Sequence, residues 1–133
     1  MKIEMIVPEK RILIIDPVDT DRKIMAHFLR SHGYQVETGK GLADAIEKIS
    51  ECSFICTILD VDIPEMKGYE AVSILKNLDP QIKIIMTTKK NTKRLEAKVR
   101  KQDVFYYFLK SFDKEELKLV IKNALMTKGE NNG

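Results

Sequence analysis

The sequence is short of the features that mark several protein classes. Its two cysteines, Cys52 and Cys56, are too few for a disulfide framework, and no His or Cys beside them completes a zinc set. Cys56 sits inside "FICTILD" and reads as a small buried hydrophobe. No apolar run approaches the ~20 residues of a spanning helix, and the opening "MKIEMIVPEKR" has no long apolar stretch. Cytoplasmic is the default location, with no membrane partner. Net charge is only +3, which selects no partner class. One stretch, "KKNTKRLEAKVRK" over residues 89–101, holds seven basic residues against one acid. No aromatic residue is interleaved there for stacking on bases, so no direct nucleic-acid partner is expected. A solvated helix face, or a docking face for an acidic protein, is the better reading.

What is present describes one ordinary globular domain. With 133 residues, 44% apolar and 32% charged, the chain can bury a core without disulfides or a structural metal. Residues 1–9 read as a leader, 10–127 as the domain and 128–133 as a disordered tail. Strand-like apolar runs alternate with amphipathic helical stretches, the pattern of a doubly wound parallel sheet with helices on both faces. "RILIID" (11–16), "YQVET", "FICTILD" (54–60), "KIIMTT" and "VFYYFLK" (104–110) are the five strands expected. Between them, Ile24, Met25, Phe28 and Leu29 mark a first helix stopped by Gly33. Leu42, Ala45, Ile46 and Ile49 mark a second helix, and Ala71, Val72, Leu75 and Leu78 a third. The basic stretch forms a fourth, with Leu95 and Val99 as its apolar positions. Asp113 and Glu116 have the spacing of a capping box opening a fifth, with Leu117, Val120, Ile121 and Leu125 inward.

In a doubly wound sheet, ligands sit beyond the carboxyl ends of the strands, at the switch in strand order. The first strand delivers Asp16 to that edge, the third Asp60, the fourth Thr87 and Thr88, and the fifth Lys110. A helix cap or strand-end polar residue would account for each of these singly. Together, two acids, hydroxyls and a lysine suit a cation and a phosphoryl group.

At these residues the sequence resembles the receiver domain of two-component response regulators. The likeness covers residues 10–127 and rests on "ILIID", on "LDVDIPEMKG" with Asp60, Pro64 and Gly68, on "IIMTT", and on "YYFLKSF". It implies a flavodoxin-like sheet of order 2-1-3-4-5 with five helices. By this resemblance Asp60 is the phosphoacceptor and Thr87 binds a phosphoryl oxygen. Lys110 pairs with the phosphoryl group or with Asp60, and Tyr107 and Thr87 act as the switch. Mg2+ is the implied cofactor, at Asp16 and Asp60. A sensor histidine kinase or phosphotransfer protein is the implied donor. A separate effector meets the face built from the fourth and fifth helices and fifth strand, and a homodimer through that face is a further expectation.

The pattern is broken in places. Where the family carries a second acid, normally the direct magnesium ligand, this chain has Pro17. Ser111 follows Lys110 where the family has proline, and a cis bond before a non-proline residue costs about 2.5–4 kcal/mol. Lys67 replaces an acid before Gly68, a surface change from which little is expected. Asp62 has four readings. It reaches the metal, orients a hydrolytic water, pairs with Lys89, or is a solvated loop aspartate. Three functions are therefore carried forward. The first is a phosphorylatable receiver, neither a turnover enzyme nor more than self-phosphorylating and self-dephosphorylating. The second is a pseudo-receiver that binds protein without phosphorylation. The third, remote, is an aspartyl phosphatase of the haloacid-dehalogenase type, suggested by "DVD" alone.

Overall fold

The computed structural model describes residues 10–111 and 113–126. The expected leader and tail lie outside the described residues. Five strands alternate with five helices: β1 (Arg11–Ile15), α1 (Asp19–Ser31), β2 (Gln35–Gly39), α2 (Leu42–Glu51), β3 (Cys56–Asp60), α3 (Gly68–Leu78), β4 (Lys83–Thr88), α4 (Lys93–Arg100), β5 (Tyr106–Leu109) and α5 (Lys114–Met126). The strands are parallel, in the order β2-β1-β3-β4-β5. The expected fold class is therefore the one adopted.

A parallel sheet covered on both faces needs strands that are apolar throughout. Ile12, Leu13, Ile14 and Ile15 of β1 are all fully buried, and every residue of β3 is buried. Side chains alternate between the faces. Leu13, Ile15 and Leu59 pack with Leu42, Ala45 and Ile49 of α2 and with Ala71, Val72 and Leu75 of α3. Ile12, Ile14 and Ile58 pack on the other side with Met25, Ala26 and Leu29 of α1 and with Leu117, Val120 and Ile121 of α5.

Some expected positions shift. Ile24 is 57% exposed and Leu78 44% exposed; on α1 the buried stripe instead includes Arg22 and Ala26. Asp113 does cap α5, its Oδ1 accepting from the N–H groups of Glu115 and Glu116. The reciprocal half of the box is absent, because the Glu116 carboxylate accepts from the Tyr106 hydroxyl. The fifth strand is shorter than expected, pairing with β4 only over Tyr106–Leu109. Gly33 ends α1 as expected, in the left-handed region at φ 90° where side chains are disfavoured. The N-terminus of α2 follows Gly41, which has no capping side chain. Its cap comes from 22 and 23 residues away, where the Glu65 carboxylate accepts from the N–H groups of Ala43 (3.1 Å) and Leu42 (2.8 Å). Among the described residues no helix is long and apolar enough to cross a membrane.

Candidate functional site

β1 lies between β2 and β3, so the chain reverses its winding there and opens a crevice at the strands' carboxyl ends. Asp60 stands at that edge, only 4% exposed. Its Oδ2 accepts from the N–H of Asp62 at 2.8 Å. The loop after it is drawn in tightly: the N–H of Gly68 donates to Val61 O at 2.6 Å. A β-carbon at Gly68 would lie 2.2 Å from the backbone oxygen of Asp60, so this approach requires glycine.

Asp16 is 1% exposed at the end of β1. Its Oδ1 accepts from the N–H of Val18 at 2.9 Å, an Asx turn with Pro17 at its centre. Proline suits that position because its φ is preset and its missing N–H leaves no donor unpaired there. The turn is fastened to α1 by the buried Arg22, which donates to Asp16 O (2.8 Å) and pairs with Asp19 (2.6 Å).

Lys110 follows β5, its N–H donating to Thr88 O at 2.8 Å. Its side chain is 10% exposed, and the ammonium meets three carboxylates: Asp60 Oδ1 at 2.7 Å, Asp16 Oδ2 at 2.9 Å and Asp21 Oδ2 at 3.0 Å. Asp60 Oδ1 and Asp16 Oδ2 receive the ammonium as an ion pair without a directed hydrogen bond. Burial alone would favour the neutral amine, but the carboxylates of Asp60, Asp16 and Asp21 outweigh it and lift Lys110 above the ordinary lysine range. Asp60 is raised above the usual carboxylate range, chiefly by burial, with Lys110 opposing that shift and the Asp16 charge adding to it.

Asp21 was not foreseen from the sequence. It belongs to the first turn of α1, and only the packing of that helix on the sheet brings it to a lysine 89 residues away. An acid in a helix's first turn reads by default as a partner of the helix dipole.

Thr87 pairs in register with Asp60, and its hydroxyl is buried with no hydrogen-bond partner. Thr88 turns away, donating to Lys90 O at 3.0 Å. Tyr107 is half-buried, packs against the core and donates its hydroxyl to Asn91. Asp62 stands apart from the cluster. Its side chain is 66% exposed and pairs with Lys67 at 2.7 Å across a bridge that closes the β3–α3 loop. The pairing with Lys89 is therefore not the one formed, and Lys67 has a definite role. Among the described residues no peptide bond is cis, so Lys110–Ser111 is trans. Beside this edge lies a cleft of about 470 Å³ between the loops after β3 and β4 and the start of α4, lined by Lys67, Lys89, Lys90, Arg94 and Lys98 above Tyr69.

Residues 12–122 match the family described as the response regulator receiver domain. The chain belongs to that family. TodT, a response regulator protein of Pseudomonas putida, is 31% identical over 114 residues, which are 86% of this chain and 50% of TodT. The transcriptional regulatory protein ZraR of Klebsiella oxytoca is 27% identical over 86% of this chain and 26% of its own length. This receiver thus spans between a quarter and a half of those relatives. A receiver domain protein from Methanospirillum hungatei shares 25% identity and superposes with a TM-score of 0.85 over 93% of this chain and 99% of that one. The beryllofluoride-activated NtrC4 receiver dimer gives 28% identity and a TM-score of 0.84, over 90% and 99%.

Receiver domains are in general signalling modules that work with histidine kinases and effectors and bind Mg2+ at the active site. The PA1611 receiver of Pseudomonas aeruginosa, 18% identical with a TM-score of 0.81 over 89% of this chain and 98% of that one, was solved with magnesium in its cleft. Among the described residues no three acidic, His or Cys side chains converge as a metal cage. Magnesium needs only one or two carboxylates, with water and phosphate oxygens completing its shell. Asp16 and Asp60, buried carboxylates at one sheet edge, fit that smaller requirement, and Asp16 Oδ2 has no directed hydrogen bond.

Proposed function

We propose that this receiver is phosphorylated on Asp60 and passes its signal by binding a separate protein. The observation that carries this reading is a buried carboxylate at ion-pair distance from Lys110, in register with a buried Thr87 hydroxyl that has no partner of its own. Asp60 Oδ2 is held by a backbone N–H, so Oδ1 is the attacking atom. It attacks the phosphorus of a phosphohistidine, the P–N bond breaks as the O–P bond forms, and the imidazole leaves with the electron pair and takes up a proton. Lys110 then exchanges one carboxylate contact for a phosphoryl oxygen, and the Thr87 hydroxyl donates to another. Asp16 and Asp60 would hold magnesium, whose charge screens the acids from the incoming phosphoryl group.

Tyr107 and Thr87 would report the change to the α4-β5-α5 face, where Tyr106, Leu109 and Leu119 are exposed. The cationic cleft beside it favours an acidic segment of the partner: among the described residues Lys89, Lys90 and Arg94 have no ion-pair partner of their own. A homodimer through this face is a further state of the proposal; the NtrC4 receiver, 28% identical, was solved as a dimer. A second reading is favoured by the three acids already holding Lys110: a pseudo-receiver that binds protein without phosphorylation. Incubation with acetyl phosphate, with and without magnesium, separates the two by intact mass. A single phosphoryl addition that is lost in Asp60→Asn is expected. Retention of the label in that variant refutes Asp60 as the acceptor.

A further inference from the structure

We propose that the cleft between the starts of α3 and α4 is where the effector docks, by an acidic segment carrying one aromatic anchor. Its carboxylates would meet Lys89, Lys90, Arg94 and Lys98, and its anchor would rest on Tyr69 and Leu95. The inference deepens, and rests on, the reading that the signal passes by binding a separate protein. It places that contact on the α3 side of α4, since none of the exposed Tyr106, Leu109 and Leu119 lines the cleft.

The first argument is a charge arrangement that works against the helix bearing it. Helices favour acids in their first turn and cations in their last. α4 opens instead on Lys93 and Arg94, with Lys89 and Lys90 in the loop just before it. Arg94 and Lys98 stand four residues apart, where like charges repel across one helical turn. Glu96, the acid of the first turn, is engaged by Arg100. Among the described residues Lys89, Lys90 and Arg94 have no ion-pair partner. Such breaches of local preference are expected at functional sites. An anion in the cleft relieves both the repulsion and the mismatch with the helix dipole.

The second argument is shape. A basic helix face that merely holds water needs no hollow beside it, yet these cations border a cleft of about 470 Å³. Tyr69 and Leu95, half-buried and packed against the core, give it an apolar floor. The Lys98 ammonium lies 6.0 Å from the centre of the Tyr69 ring. Cations over an aromatic floor suit a ligand that is both anionic and apolar. Lys90, Arg94 and Lys98 recur every four residues, so the charge forms a row and not a point. Carboxylates on one side of an extended segment recur at roughly 7 Å, close to the spacing of such a row. A single phosphate would leave part of it unmatched, which favours a protein segment over a small anion.

The test uses the whole chain, unphosphorylated, at low salt. The probe is a fluorescein-labelled peptide with a central Phe flanked by alternating Glu and Ser, titrated by anisotropy and mapped by backbone amide shifts. Arg94→Gln with Lys98→Gln removes two charges from the cleft, and Lys23→Gln with Lys122→Gln removes two exposed charges from α1 and α5. Circular dichroism first checks that each fold is unaltered. The cleft pair is expected to weaken binding on the order of tenfold, and the control pair to leave it nearly unchanged. Gln for Glu in the peptide should abolish binding, Ser for Phe should weaken it, and the shifts should cluster at Tyr69 and residues 89–98. Equal losses in the two pairs mean unspecific attraction and overturn the proposal. Absence of peptide binding also overturns it, and binding of a nucleoside triphosphate in its place would make the cleft a small-anion site. The acetyl phosphate experiment is separate: a chain that binds the peptide in the cleft but takes no phosphoryl group loses the Asp60 reading and keeps this one.

Discussion

Replacing Lys110 with methionine keeps the length of the side chain and removes the one cation shared by three acids. At about 3 Å and an effective dielectric near 20, each ammonium–carboxylate attraction is about 5–6 kcal/mol. Much of that is offset in the native protein by the desolvation of the four groups. Deleting one partner of a buried charge set leaves the others uncompensated, a net loss of about 3–5 kcal/mol. Against a domain stability of roughly 5–15 kcal/mol, this is a large fraction. The melting temperature should fall by roughly 10–20 °C at pH 7.

The pH dependence has a definite sign. In the native protein Lys110 is raised above the ordinary lysine range, so its contribution is complete below about pH 10 and is lost as pH climbs through the folded value. In Lys110→Met the buried acids bind protons more tightly folded than unfolded, so stability should recover as pH falls from 7 towards 5. Urea unfolding of both proteins at the two pH values measures this. A variant that loses under about 1 kcal/mol at pH 7, or gains nothing on acidification relative to wild type, refutes Lys110 as the counter-ion of the trio.

Three further outcomes follow from the same contacts. Asp60→Asn should raise the melting temperature at pH 7 by a few degrees, on the order of 1 kcal/mol, because burial raises the Asp60 pKa and its ionised form opposes folding; scanning calorimetry checks the sign, which should vanish near pH 3. Gly68→Ala forces a β-carbon to 2.2 Å from Asp60 O, where only backbone can yield, so unfolding in urea should show a loss of about 1–3 kcal/mol. Glu65→Gln weakens the long-range cap of α2 by about 0.5–1 kcal/mol. The N–H groups of Leu42 and Ala43 hold Glu65 below the usual carboxylate range, so wild type's advantage should be present above pH 4.5 and fade as pH falls below it.

Much of the fold was legible because a parallel sheet covered on both faces demands continuous apolar strands, and β1, β3 and β4 carry them. Asp16, Asp60, Thr87 and Lys110 were legible for a related reason: each closes or follows a strand, and strand ends in this topology meet at one edge. Helix faces were read less well. Ile24 and Leu78 are apolar by type yet exposed, because periodicity shows that a stripe exists but not where its border falls.

What only the tertiary structure decided are the partners drawn from distant segments. Asp62 lies two residues from Asp60, and extended-chain spacing pointed it at the site; the loop turns instead and Lys67 takes its charge. Glu65 caps a helix that precedes it in the chain. Asp21 joins Lys110 across 89 residues, a contact that no local spacing encodes. Strand ends are gathered by backbone hydrogen bonds between strands that the apolar pattern marks as buried. Charge partners are chosen by how the helices dock, and docking is set by the whole core at once.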